Sequence, residues 1–191
     1  MLTPATAWQR LRSGDPEPYE QVPAAVFRCA DFFVSTQTVF GPTAPPLIDI
    51  STWGLAVDAG VLASVEYAVD ALDVPLIVVL GHDECPAMRA ALHAWRHAEL
   101  PSGSMRTTVE HALLSAVQRG IPADSVEAIT AANVVDIGLG LMHRSPILTD
   151  RVSDHRCAIV CATYSAANGR LDVHASLGSA GKDAETLLES I

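Results

Sequence analysis

Apolar residues follow two rhythms along this chain, and the switching between them points to its fold. Runs at 24–28, 47–50, 75–80 and 157–163 are short and largely unbroken. The run Pro75-Leu76-Ile77-Val78-Val79-Leu80 is continuous and β-branched, the mark of a strand buried on both faces. Elsewhere the period lengthens. Val57, Val61, Leu62, Val65, Val69 and Leu72 recur at helical spacing, which predicts an amphipathic helix over 57–72 that follows Gly54 and stops at Asp73. Further helices are predicted over 6–12, 87–97, 107–119 and 125–144, with Pro86 suited to a first helical turn. Segment 34–40 fits either helix or strand, while 41–46 and 100–103 read as loops. Asn168-Gly169 is a hairpin turn that folds 170–175 back as an antiparallel edge. Strands alternating with helices define an α/β fold: a mostly parallel central sheet, flanking helices and one antiparallel edge strand.

The chain has 191 residues, 49% of them apolar, enough for one well-buried core. Its net charge is -10, and its 12 Lys and Arg are scattered. Nucleic acid and anionic membrane surfaces need clustered cations, so neither is an expected partner. The first residues lack a basic segment followed by an apolar one, and the run 74–80 is too short to span a bilayer. A cytoplasmic location is expected. There, four cysteines serve as metal ligands or buried thiols rather than disulfides. The expected organisation is a short helix and arm over 1–23, one domain over 24–178 and a polar tail over 179–191.

Two stretches carry the chemistry. Cys29-Ala30-Asp31-Phe32-Phe33 follows the first strand, and Gly81-His82-Asp83-Glu84-Cys85-Pro86 follows the third. Loops at the carboxyl ends of strands converge in open α/β sheets. Two thiolates and an imidazole suit Zn²⁺, and three protein ligands leave a fourth position for water. Each cysteine taken singly reads equally as a small core residue. Structural zinc takes four protein ligands, a set that Asp31 would complete. His93, His97 and His111 lie in polar helical stretches and are expected in solvent. His143, His155 and His174 offer no ligand spacing, and Cys157 and Cys161 share one strand face and read as core.

These motifs resemble those of the β-class carbonic anhydrases, which carry Cys-x-Asp-Ser-Arg after one strand and Gly-His-x-x-Cys-Gly after another. The similarity extends through 61–69, 74–82, 144–152 and 158–164, covers about 24–178, and is closest to the actinobacterial branch. It implies Cys29, His82 and Cys85 as zinc ligands, with reversible hydration of CO₂ to bicarbonate by a metal-bound hydroxide. It implies Asp31 as the catalytic acid that accepts a hydrogen bond from the zinc-bound water, and a homodimer or higher oligomer.

The chain departs from this pattern in five places. Phe33 stands where the family has the arginine that holds the aspartate, and Phe32 replaces a serine. Ser51-Thr52-Trp53-Gly54 replaces Arg-Asn/Thr-Ala-Gly, Pro86 replaces a glycine, and the arm before Cys29 is short. Without its arginine, Asp31 has the zinc as its nearest strong cation, so it is expected to act as a fourth ligand. Phe32, Phe33, Trp53, Gly81 and Pro86 are expected to line a more apolar pocket, or else to fill space left by the short arm. Two alternative functions follow. One is a zinc-binding, non-catalytic structural or regulatory subunit that pairs with an active paralogue. The other is a hydrolase of COS or CS₂.

Overall fold

The computed structural model describes residues 2–14, 21–42 and 44–181. Five strands form one sheet: β1 (Ala25–Cys29), β2 (Ile48–Thr52), β3 (Leu76–His82), β4 (Ala158–Ser165) and β5 (Arg170–Leu177). Their order is β2-β1-β3-β4-β5. The first four are parallel, and β4 with β5 is antiparallel. Every residue of β3 is buried, as its unbroken apolar run requires of a central strand covered on both faces. At the β5 edge the register slips: Cys161 faces Ala175 and Ala162 faces Val173, which leaves His174 as the extra residue of a bulge.

Among the described residues, seven α-helices cover the sheet: α1 (Pro4–Ser13), α2 (Thr36–Phe40), α3 (Ala59–Glu66), α4 (Pro86–His97), α5 (Met105–Gln118), α6 (Val126–Arg144) and α7 (Pro146–Ser153). One face packs Trp8 and Leu11 of α1, Met88 and Ala91 of α4 and Val109 of α5 against Val26, Val78 and Val160. The other packs Val61 and Val65 of α3, Leu141 of α6 and Leu148 of α7 against Phe27, Val79 and Ile159. Among the described residues, no helix is long and apolar enough to cross a membrane.

Local chemistry explains where the elements differ from expectation. The ambiguous segment 34–40 becomes helix α2 because the Ser35 hydroxyl caps it, accepting from Thr38 N–H at 3.2 Å. The helix expected over 57–72 begins only at Ala59: the Asp58 carboxylate accepts from Val61 N–H at 2.9 Å and leaves Val57 outside. Its last turn, Tyr67–Ala71, is π-helical. Helix α7, not separately expected, exists because Ser145 closes α6 and caps the next helix, with Pro146 in its first turn. Cys157 and Cys161 sit in the core as expected, and burial pushes both thiols up to about 12. Residues 15–20 of the expected arm and 182–191 of the expected tail lie outside the described residues.

Gly138 lets α6 lie close on the sheet. A Cβ there would come 2.5 Å from Cys161 Sγ in a fully buried contact. Gly138→Ala should therefore lower stability by about 1–2 kcal/mol, overpacking outweighing the helical gain of alanine. Urea denaturation of the single variant and of the Gly138→Ala/Cys161→Ala double variant would check this. The second change should recover part of the loss.

Candidate metal centre

The parallel pairing of β1 with β3 sets the carboxyl ends of both strands side by side. Cys29 ends β1 and His82 ends β3. Two residues past His82, Glu84 takes a left-handed backbone (φ 53°), and the turn brings Cys85 back as the residue before α4. Ligand atoms of Cys29, Asp31, His82 and Cys85 all lie within 4.8 Å of one another, a group that could hold a metal ion.

The donor spacing fits such an ion. The two sulfurs are 3.9 Å apart. Two thiolates at about 2.3 Å from one tetrahedral Zn²⁺ would be separated by about 3.8 Å. His82 Nδ1 lies 2.8 Å from the Asp83 carbonyl, which can only accept, so Nδ1 carries the proton and Nε2 turns its lone pair inward. Nε2 meets Asp31 Oδ1 at 3.0 Å. Two lone pairs at that distance need a proton or a cation between them. Asp31 Oδ2 is buried with no hydrogen-bond partner, a second unmet acceptor at the same place.

Surrounding groups fix these ligands. The Gly54 N–H donates to Cys29 Sγ at 3.0 Å. Gly54 and Leu55 both have left-handed backbones (φ 62°), a strained turn that aims this amide at the sulfur. The side chain of Asn133, buried on α6, reaches the Gly54 carbonyl at 3.5 Å, the long end of a hydrogen bond. The Asp83 carboxylate is held by the Ser165 hydroxyl at 2.8 Å. Burial pushes Asp83 up, but this hydroxyl and the amides of Ala166 and Ala167 outweigh it and hold the carboxyl below its ordinary range.

The cluster polarises its own protons. Cys29 is pushed well up, first by its hydrogen bond with Cys85 and then by burial. Cys85 is lowered, first by that same bond, against burial, with help from the amides of Met88 and Ala87 in the first turn of α4. Burial alone would lower His82, but Cys29 and Asp31 reverse it and raise the imidazole.

The five expected pocket residues are dispersed. Phe32 is 4% exposed and stacks on the His82 ring at 4.8 Å. Gly81 is buried under α6, where a Cβ would meet Thr130 and Val134. Trp53 is half-buried against the core beside Gly54, and Pro86 is exposed at the start of α4. Phe33 is 95% exposed. The cavity beside His82, about 440 Å³, carries the polar side chains of Asp83, Glu127, Thr163, Asp172 and His174 in its wall. His174 lies within 2.7 Å of Thr163 Oγ1, and the other five histidines expected away from the site are exposed. Two residues went unremarked in the sequence: Arg28 and Asp49, a cation and an anion inside otherwise apolar strand runs. Arg28 Nε donates to both Asp49 carboxylate oxygens at 2.8 and 2.9 Å, and its Nη1 donates to the Phe32 carbonyl.

A thiolate- and imidazole-lined cluster at the carboxyl ends of a parallel sheet defines this as an α/β protein with a zinc-type centre. The family profile described as carbonic anhydrase matches residues 24–171. Carbonic anhydrase 2 of Mycobacterium tuberculosis is 36% identical over 161 residues, covering 84% of this chain and 78% of that relative. A carbonic anhydrase of Mycolicibacterium smegmatis is 37% identical over 160 residues, covering 83% and 78%. A structure of tetrameric β-carbonic anhydrases from Sordaria macrospora superposes with a TM-score of 0.63 at 19% identity, covering 80% of this chain and 81% of that one. The chain belongs to the carbonic anhydrase family, in its β class and on the actinobacterial-like branch, whose members use zinc.

Two measurements test the geometry. A Cβ at Gly54 would come 2.5 Å from Thr108 Cγ2 and 2.9 Å from Ala87 Cβ, so Gly54→Ala should displace the amide from Cys29 Sγ. Zinc affinity, read by competition with a chromophoric chelator, should fall by about 10- to 100-fold. In the metal-free chain, a thiol reagent should modify Cys85 ahead of Cys29, because the thiolate reacts and Cys85 gives up its proton first. Peptide mass spectrometry would check the order. Equal labelling would count against the stabilising role of the α4 amides.

Proposed function

We propose that the chain is a zinc-dependent carbonic anhydrase of low turnover. Cys29, His82 and Cys85 hold the metal, and Asp31 completes its shell in the resting state. Zinc, when bound, acidifies a water ligand and so supplies the nucleophile that converts CO₂ to bicarbonate. The chain's own groups do the rest. Asp83 sets the His82 tautomer through its carbonyl, Gly54 supports Cys29, and the Phe32 ring covers the imidazole. Asp31 has two roles in one place. Turned aside, its carboxylate would accept a hydrogen bond from the reacting water; where it lies among the ligand atoms, it would help to hold the metal itself.

The observation that carries this reading is the Asp31 carboxylate itself. One oxygen faces the lone pair of His82 Nε2, the other is buried without a partner, and the carboxylate supplies one of the grouped ligand atoms. The nearest arginine in the sequence, Arg28, is engaged with Asp49 and the Phe32 carbonyl. An acid held this way completes a four-ligand zinc set, which also favours the second reading, a zinc-bearing subunit without turnover. Oligomerisation is part of the proposal, supported by the tetrameric relatives from Sordaria. A cytoplasmic location fits four buried cysteines with no disulfide.

Stopped-flow CO₂ hydration by the zinc-loaded chain, from neutral to alkaline pH, separates the two readings. Slow but metal-dependent turnover is expected. Replacing the exposed Phe33 disturbs little packing, so Phe33→Arg should restore a cationic partner for Asp31 and raise the rate on the order of tenfold or more. Full zinc with no turnover in either protein would establish the non-catalytic reading, and rapid turnover by the wild type would refute the resting closure.

A further inference from the structure

The loop that carries Asp31 is fastened from below. Ala30 N–H donates to the Thr52 carbonyl at 3.0 Å, and Phe32 N–H closes a turn on the Cys29 carbonyl at 3.1 Å. These bonds set the start of the turn. Its far end is held by Arg28, whose Nη1 donates to the Phe32 carbonyl. The same guanidinium is oriented by its Nε–H, which is shared between the two carboxylate oxygens of Asp49 on the neighbouring strand. Register makes this reach available: Val26 faces Asp49 and Arg28 faces Ser51, so the two side chains lie diagonally across β1 and β2 on one face. Their side chains are 21% and 37% exposed, which makes the pair only partly screened by water.

We propose that the Arg28–Asp49 pair is the device that positions Asp31. It anchors the Phe32 carbonyl, so the turn between Cys29 and Phe32 cannot swing outward, and the carboxylate at its middle stays among the ligand atoms. Three features converge on this role. A rigid planar guanidinium with one N–H shared by a carboxylate and another on a main-chain carbonyl is a geometry that lysine cannot reproduce. The Phe32 carbonyl is one residue from Asp31, so its anchoring acts directly on that residue's backbone. The Phe32 ring, pinned on the other side, stacks on His82 and contacts Tyr164 at 6.0 Å, which fixes the same turn from above. The cation of this loop thus serves the backbone and leaves the carboxylate to the metal. Arg28 and Asp49 are positioning residues that act through Phe32, and neither is among the grouped ligand atoms.

This inference rests on the resting closure proposed above, and one experiment separates the two. The full chain is loaded with Co²⁺ in place of zinc, and azide is titrated while the visible spectrum is followed. Thiolate-to-cobalt charge-transfer bands report that Cys29 and Cys85 are bound. The weaker ligand-field bands report whether azide enters the shell. The wild type should resist azide, and Asp31→Asn should bind it. If the wild type binds azide as tightly as Asp31→Asn, the closure itself fails. With closure established, Arg28→Ala, Arg28→Lys and the isosteric Asp49→Asn should each bind azide on the order of tenfold more tightly than the wild type, in proportion to the open fraction. Their charge-transfer bands should stay unchanged. Azide affinity as weak as that of the wild type in Asp49→Asn and Arg28→Lys would overturn the proposal. So would loss of the charge-transfer bands in those two mild variants, since the pair would then be holding the metal site together and not setting Asp31.

Discussion

Everything at this centre depends on one parallel strand pairing. Phe27 of β1 faces Val79 of β3, and Arg28 faces Leu80, so Cys29 and His82 finish their strands next to each other. A slip of one residue would turn each side chain to the opposite face of the sheet and separate the thiolate from the imidazole. The pairing is held by burial: Val26, Phe27, Val78, Val79 and Leu80 are wholly inaccessible, packed by helices from both sides. Precision at the metal centre is thus bought with apolar packing several residues away. The second cysteine, Cys85, needs only a short turn and the start of α4 to reach the same point.

Around that frame, two kinds of group compete for one coordination position. An enzyme of this class needs water there, and a stable metal store needs a protein ligand. On the proposed reading, Asp31 serves either end, and Phe33 stands where the resembled family pattern has the arginine that would draw it away. What remains is a hydrogen-bonded turn with an arginine on its main chain. If Asp31 closes the shell as proposed, the difference between an anhydrase and a structural zinc protein comes down to whether a guanidinium pairs with that carboxylate or, as Arg28 does, with the Phe32 carbonyl.

The mostly parallel sheet with its antiparallel edge and the grouping of Cys29, His82 and Cys85 were legible in the sequence for related reasons. Buried parallel strands leave continuous apolar runs, and ligands must sit where those runs end. Cys29, Asp31, His82 and Cys85 could be read because their spacing is local to two short loops. Arg28 and Asp49 could not be paired in advance, since they are 21 positions apart and meet only through strand register. Phe33 stands apart from the other pocket candidates for a different reason. Adjacent residues in an irregular turn need not share a direction, and Phe32 takes the buried side while Phe33 projects into solvent. The late start of α3 also escaped notice, because the hydrophobic period continues through Val57 while the capping carboxylate of Asp58 stops the helix short of it.

The bulge at His174 has a consequence for how this sheet meets other chains. β5 forms one border of the sheet, and β2 forms the other. Where the ladder skips His174, the outward main-chain groups of β5 lose their even spacing, so a further strand cannot be added in step along its length. The five residues of β2 show no such break in their pairing with β1. Growth of the sheet by strand addition is therefore directional: blunted at the β5 border and regular at the border that carries Asp49.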